Sequence, residues 1–84
     1  MSTAGLGPGL LLLGKPGCHL CDDARDVLER AGARFTEVDI TTDDGLHATY
    51  LERIPVVVLD GVERFELFVD EAALRRLLSK VRRR

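Results

Sequence analysis

Two cysteines, Cys18 and Cys21 in "GKPGCHLC", stand between an uninterrupted apolar run, Leu10 to Leu13, and an amphipathic stretch that begins at Leu20. The run is short and bounded by Gly9 and Gly14, as expected of a strand buried on both faces. Beyond Leu20 the apolar residues Ala24, Val27, Leu28 and Ala31 recur at helical spacing, and Gly32 stands where a left-handed C-cap would end the helix. The chain is therefore committed to a strand, a tight turn and a helix, with the cysteine pair at the joint.

The remaining elements follow from period and turn chemistry. "RFTEVDI", residues 34–40, is rich in β-branched residues and alternates Thr36, Val38 and Ile40 on one face, which predicts a second strand; joined through a helix, it should run parallel to the first. Residues 42–52 carry Leu46, Tyr50 and Leu51 at helical spacing, interrupted by Gly45. "VVVL" and "VERFEL" flank Asp60-Gly61, a dipeptide favoured by two-residue hairpin turns, so strands three and four should pair antiparallel. Glu63, Arg64 and Glu66 suit the last strand to an exposed sheet edge. Asp70 is placed to cap a final helix whose stripe is Ala73, Leu74, Leu77, Leu78 and Val81. The order is β-α-β-α-β-β-α, a single α/β domain with a mixed four-stranded sheet flanked by helices. It spans residues 10–81, between a flexible segment at 1–9 and a basic tail at 82–84.

A chain of 84 residues has room for one core only. With 45% apolar and 31% charged residues it should fold without a partner, and a monomer is expected. Twelve basic against fourteen acidic residues leave a formal charge of −2, which offers no general attraction to nucleic acid. The longest aliphatic run is far short of the roughly 20 residues that cross a bilayer, and no secretory signal precedes it, so no membrane association and a cytoplasmic location are expected.

In a reducing compartment a single C-x-x-C points to redox or metal chemistry rather than to a structural staple. A structural zinc site needs four ligands, and only His19 and His47 supplement the cysteines, so no metal site is expected within one chain. Cys18 precedes the helix, where free backbone N–H groups and the positive end of the macrodipole favour an anion; it is the expected nucleophile. Cys21, one turn further in, is the expected resolving thiol. Lys15 either supports the Cys18 thiolate, meets the carboxylate of a thiol ligand, or stays solvated. His19 either tunes Cys18 electrostatically or shapes the surface offered to a partner. Asp22 and Asp23 favour the helix start and work against a nearby thiolate. Tyr50 and Phe68 read as core or rim aromatics.

Taken together, the buried strand before "KPGCHLC", the K-x-x-C-x-x-C spacing, the "IPVVV" after the second helix and the Asp-Gly hairpin leading to a last helix resemble the glutaredoxin-like proteins of the thioredoxin superfamily. The resemblance implies a thioredoxin-like, glutaredoxin-type fold and a thiol-disulfide oxidoreductase. It also implies a cis peptide before Pro55 beside the dithiol, and pairing of the Ile54 backbone with a bound thiol or peptide in strand fashion. Asp70 would reach the ammonium group of a γ-glutamyl thiol. No bound cofactor is implied; a low-molecular-weight thiol, glutathione or another, would act as reductant, and the substrate would be a disulfide-containing protein or a small-thiol mixed disulfide. Glutaredoxins carry a proline and an aromatic between the cysteines, where this chain has His19 and Leu20, and a Gly-Gly turn before the last helix, where it reads "FELFVDE". Phe68 and Glu66 are therefore expected to narrow or repel at a glutathione site. The competing reading is a non-enzymatic thioredoxin-fold binding module, or a dimer that shares a metal or cluster through the same cysteines.

Overall fold

The computed structural model describes residues 9–82; the expected flexible segment, apart from Gly9, and the end of the basic tail lie outside them. Eight elements follow in chain order: β1 (Leu10–Gly14), α1 (His19–Arg30), β2 (Thr36–Asp39), a 3-10 turn (Ile40–Thr42), α2 (Asp44–Tyr50), β3 (Val56–Leu59), β4 (Val62–Glu66) and α3 (Glu71–Arg82). The sheet has the strand order β2-β1-β3-β4. β1 pairs parallel with β2 and antiparallel with β3, and β3 pairs antiparallel with β4. The expected mixed four-stranded sheet and element order are thus present, with β4 at an edge.

The apolar run of β1 is continuous because helices cover both faces of the sheet. Leu10 and Leu12 join Val57 and Leu59 under α1 and α3, where Ala24, Leu28 and Leu74 are buried. Leu11 and Leu13 join Val56 and Val58 on the opposite face, against Ile40, Leu46, Tyr50 and Cys21. Burying a side chain of this size contributes roughly 1.5–3 kcal/mol, so the central strands β1 and β3 anchor both layers.

Several boundaries differ from the periodicity for local reasons. β2 stops at Asp39 because that side chain accepts hydrogen bonds from Thr41 N (2.9 Å) and Thr41 Oγ1 (2.6 Å), turning the chain into the 3-10 turn; Ile40 is buried there instead of in the strand. α2 is shorter than 42–52, starting after Asp43, whose carboxylate accepts from Leu46 N at 2.9 Å. Leu46 and Tyr50 are buried, whereas Leu51 is exposed. Asp60 (φ 50°) and Gly61 (φ 83°) both take positive φ, as the tight hairpin turn between β3 and β4 requires. Gly9, read as the end of the flexible segment, is tied to that turn: its N–H donates to Asp60 Oδ1 at 2.7 Å and its carbonyl accepts from Asp60 N at 2.9 Å. Gly32 takes φ 72° just beyond α1, as its position after the apolar stripe predicts.

A polar network fastens the end of α2 to β4. The buried Tyr50 hydroxyl donates to Glu63 at 2.8 Å, Arg53 is ion-paired with Glu63 and Glu66, and its guanidinium lies 5.0 Å from the centre of the Tyr50 ring. Burial, reinforced by the hydrogen bond to Glu63, pushes the Tyr50 phenol up to about 12. Because the folded value lies above the ordinary value of 10, this contribution to stability is fully present below pH 10 and is lost as pH rises toward 12. Tyr50→Phe should therefore lower the urea-unfolding free energy by about 1 kcal/mol near neutral pH. The gap between variant and wild type should close as pH is raised through this window. A gap that does not depend on alkaline pH would contradict the hydrogen bond.

At the other end of the sheet, Gly14 closes β1 where α1 begins. A Cβ at Gly14 would lie 3.0 Å from Cys21 Sγ and 3.2 Å from Cys21 Cβ. Only the absence of a side chain lets Cys21 pack down on the strand. Gly14→Ala should cost about 1–3 kcal/mol by overpacking and displace the Cys21 thiol; unchanged unfolding free energy and unchanged Cys21 reactivity would show that the site relaxes freely.

Candidate active site at the start of α1

The turn Lys15–Gly17 carries the chain from β1 into α1, with Gly17 at φ 76°, a conformation open to glycine and costly for a side-chain-bearing residue. Cys18 is the N-cap of α1: its backbone is extended, its carbonyl accepts from Asp22 N at 3.1 Å, and its sulfur accepts from Cys21 N at 3.3 Å. The Cys18 thiol thus sits in the position where a polar side chain satisfies an otherwise free N–H group. Cys18 is half-buried and Cys21 is buried, 1% exposed. The two sulfurs are 2.7 Å apart, Cys21 donating to Cys18, and both are free thiols. Burial, and then this hydrogen bond, push the Cys21 thiol up to about 11, while a backbone hydrogen bond from Lys15 pulls in the opposite direction. The arrangement has one reachable sulfur and one protonated, buried sulfur in contact with it.

The other residues singled out in the sequence are distributed around this pair. Ile54-Pro55 is a cis peptide, and both residues are buried. Ile54 belongs to the same apolar cluster as Cys21, with Cys18 packed against it. Leu13 pairs with Val56, so one further step of the register sets Pro55 across from Gly14, at the dithiol end of the sheet. The Ile54 N–H donates to the Tyr50 carbonyl at 3.0 Å, so that half of the strand-fashion pairing implied for its backbone is already engaged within the chain. Lys15 and His19 are exposed on either side of Cys18. Asp70 caps α3, accepting from Ala72 N at 3.0 Å and Ala73 N at 3.4 Å; its carboxylate serves the helix start.

The segment between β4 and α3 has a feature that its composition does not announce. Leu67 takes φ 67°, a left-handed conformation uncommon for a bulky residue, and its N–H donates to the carbonyls of Pro55 (2.8 Å) and Arg53 (3.1 Å). This clamps the segment to the cis-proline turn and leaves Leu67 and Phe68 exposed, Phe68 at 72%. Glu66, expected to repel an anionic ligand, is ion-paired with Arg53, so apolar side chains rather than charge dominate this edge.

A groove of about 390 Å³ opens on the other side of the dithiol, between the Lys15–Pro16 turn and β2; Cys21 lines it together with Gly14, Arg25, Glu37, Val38 and Asp39. Among the described residues no group of three or more His, Cys, Asp or Glu side chains gathers as a metal site, and no helix is long and apolar enough to cross a membrane.

Known proteins share this fold. The family described as Glutaredoxin-like domain (DUF836) matches residues 9–79. An uncharacterized protein of Mycobacterium tuberculosis is 32% identical, the match covering 81% of this chain and 79% of that protein. The X-ray structure of XcR50, a structural-genomics protein from X. campestris, is 34% identical with a TM-score of 0.74, covering 86% of this chain and 97% of that one. A glutaredoxin from Archaeoglobus fulgidus, 20% identical, shares the fold with a TM-score of 0.62, covering 84% of this chain and 86% of the other. On the match over residues 9–79, which holds both cysteines and the cis-proline turn, the chain belongs to the Glutaredoxin-like domain (DUF836) family.

Proposed function

We propose that this chain is a dithiol thiol-disulfide oxidoreductase, with Cys18 as nucleophile and Cys21 as resolving thiol. The observation that carries the reading is the contact of a half-buried N-cap sulfur with a buried one at 2.7 Å, beside a cis-proline turn. The Cys18 thiolate attacks one sulfur of a substrate disulfide; the other sulfur leaves as a thiolate and takes up a proton. A mixed disulfide with Cys18 remains. The Cys21 thiol then loses its proton and attacks the Cys18 sulfur, forming the Cys18–Cys21 disulfide and releasing the second substrate thiol. The substrate gains two electrons and the protein loses two, which a cellular thiol or reductase returns.

The substrate edge supports a particular choice. Where a Gly-Gly turn would let a small thiol lie against the backbone, Leu67 and Phe68 present exposed apolar side chains, and Asp70 is engaged with α3. The chain therefore acts on a protein disulfide, or on a small thiol other than glutathione, better than on glutathione mixed disulfides. It works as a monomer in the cytoplasm.

Cys18→Ser should abolish disulfide reduction, whereas Cys21→Ser should accumulate mixed disulfides on Cys18, seen as a mass adduct after exposure to a disulfide substrate. Efficient, saturable deglutathionylation by the wild type would overturn the substrate preference.

In the reduced wild type, iodoacetamide near pH 8 should label Cys18 and spare Cys21, which is buried and holds its proton up to about 11. Labelling of Cys21 ahead of Cys18 would reverse the assigned roles.

A further inference from the structure

Asp22 follows Cys21 directly and lies one turn after Cys18; its charge is felt at Cys21, where it opposes ionisation. Glu37 reaches the same region from β2, lining the groove that Cys21 lines. One side chain holds both acids. Arg25, one turn beyond Cys21 on α1, donates from Nη1 to Asp22 Oδ1 at 2.9 Å, from Nε to Glu37 Oε1 at 2.6 Å and from Nη2 to Glu37 Oε2 at 3.0 Å. The contact to Glu37 is bidentate, the geometry in which an arginine-carboxylate pair holds its place even near the surface. The other charged groups around the dithiol are Lys15 from the turn, His19 and Asp23 from α1, and Asp39 from β2. Lys15 makes no ion pair among the described residues, and Asp39 is engaged with Thr41.

Resting on the dithiol reading above, we propose that Arg25 is a positioning residue that sets the redox poise of the Cys18–Cys21 couple, by holding the carboxylates of Asp22 and Glu37 and cancelling their charge beside the thiols. The disulfide is uncharged, whereas a reduced pair that carries a thiolate feels the local field. Negative charge nearby disfavours the thiolate and so favours the disulfide; positive charge does the reverse. Arg25 therefore makes the couple more oxidising than the acids alone would.

Redox titration of the purified chain in thiol-disulfide buffers tests this with a charge series. Near pH 8, Arg25→Gln should shift the equilibrium toward the disulfide by about threefold, equivalent to ~14 mV more negative for a two-electron couple. Glu37→Gln, on the exposed edge strand, should shift it the opposite way, and the double substitution should return close to the wild type. Arg25→Lys keeps the charge but loses the bidentate fork, and should also stay close to the wild type. Equal shifts in Arg25→Lys and Arg25→Gln, or the same sign of shift in Arg25→Gln and Glu37→Gln, would mean that Arg25 acts by packing alone and would overturn the inference. A wild type that forms no Cys18–Cys21 disulfide would overturn the dithiol reading itself, whereas a normal wild-type couple with an unmoved Arg25→Gln variant overturns this inference alone.

Discussion

The architecture depends on how closely α1 is allowed to approach the end of β1. Cys21 occupies the space that a side chain at Gly14 would need, with its sulfur against the strand and the apolar cluster around Ile54 and Tyr50. That contact seats the first turn of α1 over the sheet, brings Cys18 to the N-cap, and places the sulfurs in contact. It also separates their chemistry: one sulfur remains reachable, while the other is buried and kept protonated by the same packing that holds the helix. Structural and chemical roles of Cys21 are therefore inseparable. Any change that loosens the helix start also alters the burial that keeps the Cys21 thiol protonated.

Around this centre the fold fixes three segments that are distant in sequence. The cis-proline turn enters through β3, the next neighbour of β1 in the sheet, and is tied to α2 through Ile54 N and the Tyr50 carbonyl. The segment before α3 enters through β4 and is clamped to the cis-proline turn by the Leu67 N–H. β2 enters from the opposite edge and brings Glu37 to Arg25. The dithiol thus has an apolar side, built by Leu67 and Phe68 near the cis-proline turn, and a charged side, built by the groove lined by Lys15, Arg25, Glu37 and Asp39. The first is the side on which a protein disulfide is proposed to dock. The second is the side proposed to set the redox poise of the pair.

Much of this was legible in the residues because the signals were local. A four-residue apolar run between glycines, a helical stripe ending in Gly32 and an Asp-Gly turn specify their elements by period and backbone chemistry alone, and Asp70 caps α3 as its position suggested. The cysteine spacing fixed which helix turn would hold the pair. What was not legible depends on contacts between segments far apart in the chain. Arg25 reads as one more solvated charge on the polar face of a helix until β2 brings Glu37 beside it. Gly14 reads as the end of a strand until α1 packs Cys21 onto it. Leu67 gives no sign of a left-handed backbone, since leucine has no preference for it; that conformation follows from the double hydrogen bond of its N–H to Pro55 and Arg53. Asp39 ended β2 early because its own side chain captured Thr41, a local competition that alternation of β-branched residues does not reveal.

The central claim is that Cys18 and Cys21 form one reversible two-electron couple within a single chain. A titration of the wild type through a series of dithiol-disulfide buffers, quenched by acid and read by intact mass, tests it most directly. A single transition is expected, in which the monomer loses two hydrogens, fitted by one two-electron potential. Free thiols throughout the series, or oxidation that yields only disulfide-linked dimers, would contradict it.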